Sequence, residues 1–185
     1  IGTHYESRGA QTAFSAARVQ AEFANLSTTT TFYTVSFAGT APTAGSSTIA
    51  EHVAGQVTNA FTGQNKTNAT LFAFKLTPNS GNATVTDAVI TVSGAQDITS
   101  SDFSNIRLFR DVNSNASYDM TDVAVGGSGV FTLSGQSGTI TFMGDFLATS
   151  TTNFILVADW NAPVNGSFMS LSLPTSGLTI IDATS

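Results

Sequence analysis

Cysteine is absent from the 185 residues, which excludes a disulfide framework and thiolate metal sites. Charge is scarce as well: Asp, Glu, Lys and Arg make up only 10% of the chain, against roughly 25% in an ordinary globular domain. The six basic residues, Arg8, Arg18, Lys66, Lys75, Arg107 and Arg110, are scattered. A nucleic-acid footprint needs them clustered, so no nucleic-acid partner is expected. No apolar run approaches the roughly 20 residues that cross a bilayer, so no membrane span is expected either.

Hydroxyls and amides take the place of the missing charge. Ser and Thr supply more than a quarter of the residues, the net charge is −6 and the pI is near 4.5. This composition points to an exported protein of a bacterial or archaeal cell surface. The sequence begins at Ile1 without Met, so any signal peptide is expected to have been removed or trimmed, and the export signal itself is not readable. A hydrophobic content of 41%, with 14 phenylalanines, is enough for a substantial core.

Residues 1–30 read as an N-terminal arm. From Ala10 to Leu26 there is neither Gly nor Pro and there are six alanines, which suits a helix. The same stretch alternates, with Ala17, Val19, Ala21 and Phe23 on one face and Arg18, Gln20 and Glu22 on the other, which suits a strand. The β character of the rest of the chain favours the strand. Residues 31–185 read as an all-β domain. TFYTVSF, TLFAFKL, TVTDAVITVS, FSNIRLFR, GVFTLS, GTITFM, NFILVAD, SFMSLSL and GLTIID are short strands separated by Gly, Asn and Ser turns. Residues 48–63 are ambiguous between a short strand and a helical turn. Half-buried strands at this spacing imply an Ig-like or jelly-roll-type β-sandwich, because each sheet needs a second to cover its apolar face.

The most specific motif is DVNSNASYDMTD. It places Asp111, Asn113, Asn115, Asp119 and Asp122 at relative positions 1, 3, 5, 9 and 12, with the Ser117 carbonyl at position 7. This is the ligand spacing of a twelve-residue Ca²⁺ loop, since a hard dication needs six to eight oxygens and the chain must wrap round it. Two departures stand out: Ala116 replaces the glycine of the sharp turn, and Asp122 replaces the bidentate Glu. An Asn/Asp-rich turn bonded to its own backbone is the other reading.

With its flanks, NIRLFRDVNSNASYDMTDVAVGGSGVFTLSGQSGTITF and the later NFILVADWN, the motif resembles secreted cell-surface β-sandwich modules of bacteria and archaea that carry a dockerin-like, EF-hand-like calcium loop. The resemblance covers roughly residues 68–182. It implies a non-catalytic, surface-associated module, with Asp111, Asn113, Asn115, Ser117, Asp119 and Asp122 as ligands of a structural Ca²⁺.

Other candidates are weaker. Sequons occur at Asn25, Asn65, Asn68, Asn82, Asn115 and Asn165; about half would arise by chance in so hydroxyl-rich a chain, and Asn115 cannot readily serve both a glycan and an ion. His4 and His52 are isolated, without a second His at metal-ligand spacing. Ser128 and Ser137 lack the G-x-S-x-G elbow, and Glu6, Glu22 and Glu51 all lie in the N-terminal third, so no enzyme is expected. Trp160 is either a sugar-stacking platform or a core plug.

These features lead to an expectation of a structural subunit of an extracellular assembly. It would be a filament-like homopolymer of identical subunits, joined through the arm and the sheet edges by strand donation and rigidified by Ca²⁺. The alternative is an adhesin or carbohydrate-binding module of a larger surface protein, with glycans as partners.

Overall fold

A computed structural model describes residues 47–57, 61, 64–79, 81–161 and 167–182. The expectations for the arm at 1–30 and for the TFYTVSF strand lie outside these residues. Within them the chain is all β, with no α-helix and two single 3₁₀ turns. Eleven strands run β1 Thr48–Glu51, β2 Lys66–Thr77, β3 Ala83–Gln96, β4 Phe103–Arg110, β5 Val123–Ser128, β6 Val130–Ser134, β7 Ser137–Phe142, β8 Phe146–Ala148, β9 Thr152–Trp160, β10 Phe168–Ser172 and β11 Leu178–Asp182.

They form two antiparallel sheets, as the alternating patterns require. One has the order β1-β2-β9-β4-β5; the other runs β10-β3-β7-β6, with β8 and β11 also paired to the long β3. Alternate residues of each sheet meet between them: Phe74 and Leu76 of β2, Ile90 and Val92 of β3, Ile106 and Leu108 of β4, and Phe142 of β7 are all buried. Trp160 closes one end of this core at 1% exposure, tilted against Phe61 at 3.9 Å and Phe103 at 5.5 Å. The indole is a core plug, and its ring is not open for a sugar to stack on.

Two strands were hidden in the sequence. The GGSG run reads as a turn, yet Gly126 and Gly127 lie inside β5 at φ 70° and 75°, where a side chain would be strained. Gly144 packs so closely on this bulge that a Cβ there would sit 2.7 Å from the Gly126 carbonyl. The three-residue β8 is too short to show a period. The ambiguous stretch 48–63 contains β1, which pairs with the end of β2 through Ile49 opposite Leu76 and Glu51 opposite Phe74.

Strand β9 explains its own composition. Phe154, Ile155, Leu156, Val157 and Ala158 are all buried, so the strand is covered on both faces and cannot alternate. Phe154 and Leu156 face the main core. Ile155 and Val157 face the other way, into a second cluster with Ala73 and Phe109.

Candidate functional site

The loop Asp111–Asp122 joins β4 to β5 and folds back over the outer face of the first sheet. There Ala116 and Tyr118 cover Ala73, Phe109, Ile155 and Val157, with Val57 from the β1–β2 connection joining them. The Tyr118 ring meets Phe109 edge-on at 4.9 Å, and the Tyr118 N–H donates to Thr70 Oγ1 at 3.0 Å. The loop is therefore the roof of a satellite core, a role with no signature in its ligand-like spacing.

Asp111 organises the loop from below and is 3% exposed. Its Oδ1 accepts the N–H groups of Ser114 at 2.6 Å and Asn115 at 3.3 Å, and Oδ2 accepts that of Ala116 at 2.7 Å. Ser114 and Ala116 reach these positions through left-handed backbone, φ 59° and 58°. Ala116 thus adopts the conformation for which glycine is usual, at the strain a Cβ brings. Asp122 repeats the device at the far end, Oδ1 accepting Val112 N–H and Oδ2 that of Asp119, each at 3.0 Å.

Between these anchors Asn113, Asn115 and Asp119 converge. Asn113 Nδ2 donates to Asp119 Oδ2, Asn113 Oδ1 accepts Asn115 N–H at 3.3 Å, and Asn115 Oδ1 accepts Ser117 N–H at 2.7 Å. The Thr121 hydroxyl and N–H, followed by the Asn113 and Asn115 side chains, hold the Asp119 carboxyl below the usual carboxylate range. Asn113, Asn115 and Ser117 are exposed and Asp119 is half-buried. Among the described residues no three His, Asp or Glu side chains group closely enough to hold a metal by themselves. A Ca²⁺ loop also draws on amide and main-chain oxygens, and here those belong to Asn113, Asn115 and Ser117.

Sequence reasoning missed the partner of Asp111. His52, at the end of β1, is 3% exposed and brings Nε2 to 3.0 Å from Asp111 Oδ2. Its Nδ1 accepts the Ala54 N–H at 3.1 Å, which places the proton of a neutral ring on Nε2, toward the carboxylate. The separation is that of a hydrogen bond but the alignment is not. Asn153 completes the tie: its carbonyl accepts Asp111 N–H at 2.9 Å and its Nδ2 donates to Ser114 Oγ at 2.9 Å.

A second polar cluster crosses three strands of the same sheet. Asp159 of β9 accepts from Asn105 Nδ2 at 2.6 Å and from the Asn68 N–H at 2.7 Å, while Arg107 donates to Asn68 Oδ1 at 2.6 Å. Asn68 and Asn105 sit at bulges with φ near +50°. The Asn105 amide, the Asn68 N–H and the Arg107 charge lower the Asp159 pKa. Of the sequons, Asn68 is engaged in this cluster, Asn65, Asn82 and Asn115 are exposed, and Asn25 and Asn165 lie outside the described residues. His4 is also outside them, as are Glu6 and Glu22. Ser128 and Ser137 are exposed strand ends.

Comparison with known proteins finds no matching family model, no matching curated protein and no matching solved structure. Among the described residues no helix is long and apolar enough to cross a membrane. The chain is assigned by its architecture alone: an all-β protein of two antiparallel sheets packed as a sandwich.

Proposed function

We propose that this protein is a structural subunit of an extracellular, filament-like homopolymer, in which the N-terminal arm of one copy joins a sheet edge of the next. One observation carries the reading: among the described residues β1 pairs only with Phe74–Thr77 of β2 on that side, and an apolar groove of about 550 Å³ runs beside it. An edge with unpaired peptide groups next to an apolar groove is what an added strand occupies, and identical head-to-tail contacts propagate without closing. The hydroxyl-rich, weakly charged composition supports an extracellular setting, and neither catalysis nor a soluble substrate is part of this reading.

Calcium belongs to the proposal as a clamp on the acidic loop. Asn113, Asn115, Asp119 and the Ser117 carbonyl would hold the ion, with Asn113 turning its amide oxygen inward in place of its nitrogen. Asp111 and Asp122, whose oxygens already accept N–H groups, would shape the loop and add negative charge. The carbohydrate-binding alternative loses its main candidate with the burial of Trp160.

The test is electron microscopy and light scattering of the full chain with and without Ca²⁺, beside a variant lacking residues 1–30. Polymers that vanish on deletion are expected. Monomers under every condition, unchanged by deletion, would refute the proposal.

A further inference from the structure

Charge divides the two sheets. Among the described residues every Lys and Arg, that is Lys66, Lys75, Arg107 and Arg110, stands on β2 or β4 of the first sheet. The strands β10, β3, β7 and β6 of the second sheet carry one ionisable side chain between them, Asp87, which accepts the Thr86 hydroxyl at 3.1 Å. Ile90 and Val92 of β3, Ile140 and Phe142 of β7, and Phe131 and Leu133 of β6 turn to the core. The residues between them therefore turn outward.

On that outer face the strand register lines up hydroxyls. Thr132 lies opposite Thr139, Thr139 opposite Thr91, and Thr91 opposite Ser172, a row across four strands. The next row sets Ser134 opposite Ser137 and Ser93 opposite Ser170. On the other side of the threonine row, Val130 and Val89 flank Thr141. Thr132, Ser172 and all four serines of the second row are exposed, and Thr139 and Thr91 on the central strands are half-buried. Val130 is 61% exposed.

Resting on the homopolymer reading above, we propose that this hydroxyl face is the lateral contact between filaments, packing against the same face of a second copy in a neighbouring polymer. Charge selects the occupant: copies at net charge −6 repel one another, and the repulsion is least where a face holds no ionised group. Chemistry agrees, because a hydroxyl both donates and accepts and is its own complement, as a carboxylate or an ammonium is not. Shape agrees as well, since two sheets of the same twist stack face to face with strands about 30° apart. Four strands about 4.8 Å apart and five residues long make a plane of roughly 320 Å² per copy, against the roughly 800 Å² per partner of a stable pair. The contact is too small to hold two free subunits and gains strength only when a polymer repeats it.

The experiment displays the full chain on beads, which repeat the face whether or not the chain polymerises, and reads bead clustering beside electron microscopy of the polymer. Wild-type beads are expected to cluster and filaments to lie side by side, more so at about 0.5 M NaCl than at about 0.05 M, because salt screens the net charge. Thr139→Lys should cut clustering about tenfold by setting like charges face to face, although it makes the net charge less negative. Thr132→Lys, on the edge strand β6, should do the same with less demand on the fold. Mixing Thr139→Lys beads with Thr139→Glu beads should restore clustering. Folded Thr139→Lys and Thr132→Lys proteins that cluster like wild type overturn the face. Clustered beads from a chain that never polymerises keep the face and remove the polymer; single filaments beside beads that never cluster do the reverse. Wild-type beads that bind cellulose but not one another assign the face to a polysaccharide, and clustering that starts only after residues 1–30 are deleted assigns it to the chain's own arm. Either result overturns the second copy.

Discussion

His52 Nε2 lies 3.0 Å from Asp111 Oδ2, with both side chains sealed from solvent. The pair joins two loops far apart in sequence, the β1–β2 connection and the acidic loop, under the roof of the satellite core. Asp111→Ala strips acceptors from three N–H groups and removes the His52 partner, so a loss of about 3 kcal/mol is expected. His52→Ala should cost less, because Asp111 keeps its main-chain donors. A double-mutant cycle by denaturant unfolding should give a coupling of about 1 kcal/mol or more; additive losses would show that the two residues act independently.

The satellite core makes a separate claim on stability. Phe109→Ala empties a buried site roofed by the loop and should cost about 3–5 kcal/mol. Tyr118→Ala, which removes a half-buried ring, should cost roughly 1–2 kcal/mol and speed proteolysis within residues 111–122. A loop equally resistant after Tyr118→Ala would mean that its hydrogen bonds alone hold it.

Trp160→Ala should unfold more than it unbinds. Truncating the plug between Phe61 and Phe103 is expected to cost about 3–5 kcal/mol, seen in chemical denaturation. A folded, fully stable Trp160→Ala protein that had lost affinity for a polysaccharide would restore the carbohydrate reading.

Asp119 and Asp159 set the direction of the acid response. Both carboxyls titrate below their ordinary value in the folded protein, so as pH falls the unfolded chain takes up their protons first. The stability they add is present above the unfolded value, near 3.9, and is lost as pH falls through the folded value. Because both groups keep partial contact with solvent, the effect is small. Asp159→Asn should flatten stability below about pH 4 and leave the range from pH 5 to 8 unchanged in slope; a wild-type slope retained in the variant would assign the acid response elsewhere.

Calcium should raise the melting temperature if the loop closes on it. At an ion concentration about tenfold above Kd the gain is about 1.4 kcal/mol, worth roughly 3–6 °C in a domain of this size. Asp119→Ala should abolish the shift. An identical melting temperature in Ca²⁺ and in chelator, with no heat on titration, would remove the ion from the proposal.

Much of the sandwich was legible because its strands obey simple periods. TLFAFKL, TVTDAVITVS and FSNIRLFR became β2, β3 and β4, with Phe74 and Leu76, Ile90 and Val92, and Ile106 and Leu108 alternating into the main core, while Ala73 and Phe109 on the opposite face of their strands are buried in the satellite core. β5 was not legible, since its two glycines use positive φ within a strand to make a bulge that local chemistry writes like a turn. The acidic loop was legible as a wrapped, oxygen-rich segment. Its packing was not, because Tyr118 and Ala116 have no period of their own and their partners lie on other strands.

Local sequence was enough to set the all-β class, the two-layer architecture and the convergence of Asn113, Asn115 and Asp119 in one loop, since alternation and short-range backbone geometry act over a few residues. Long-range packing was needed to bury Asp111 beside His52, to make Trp160 a plug, and to set the Gln56 amide on the Ala73 peptide group. Those relationships join residues far apart in the chain, and they exist only once the sheets have stacked.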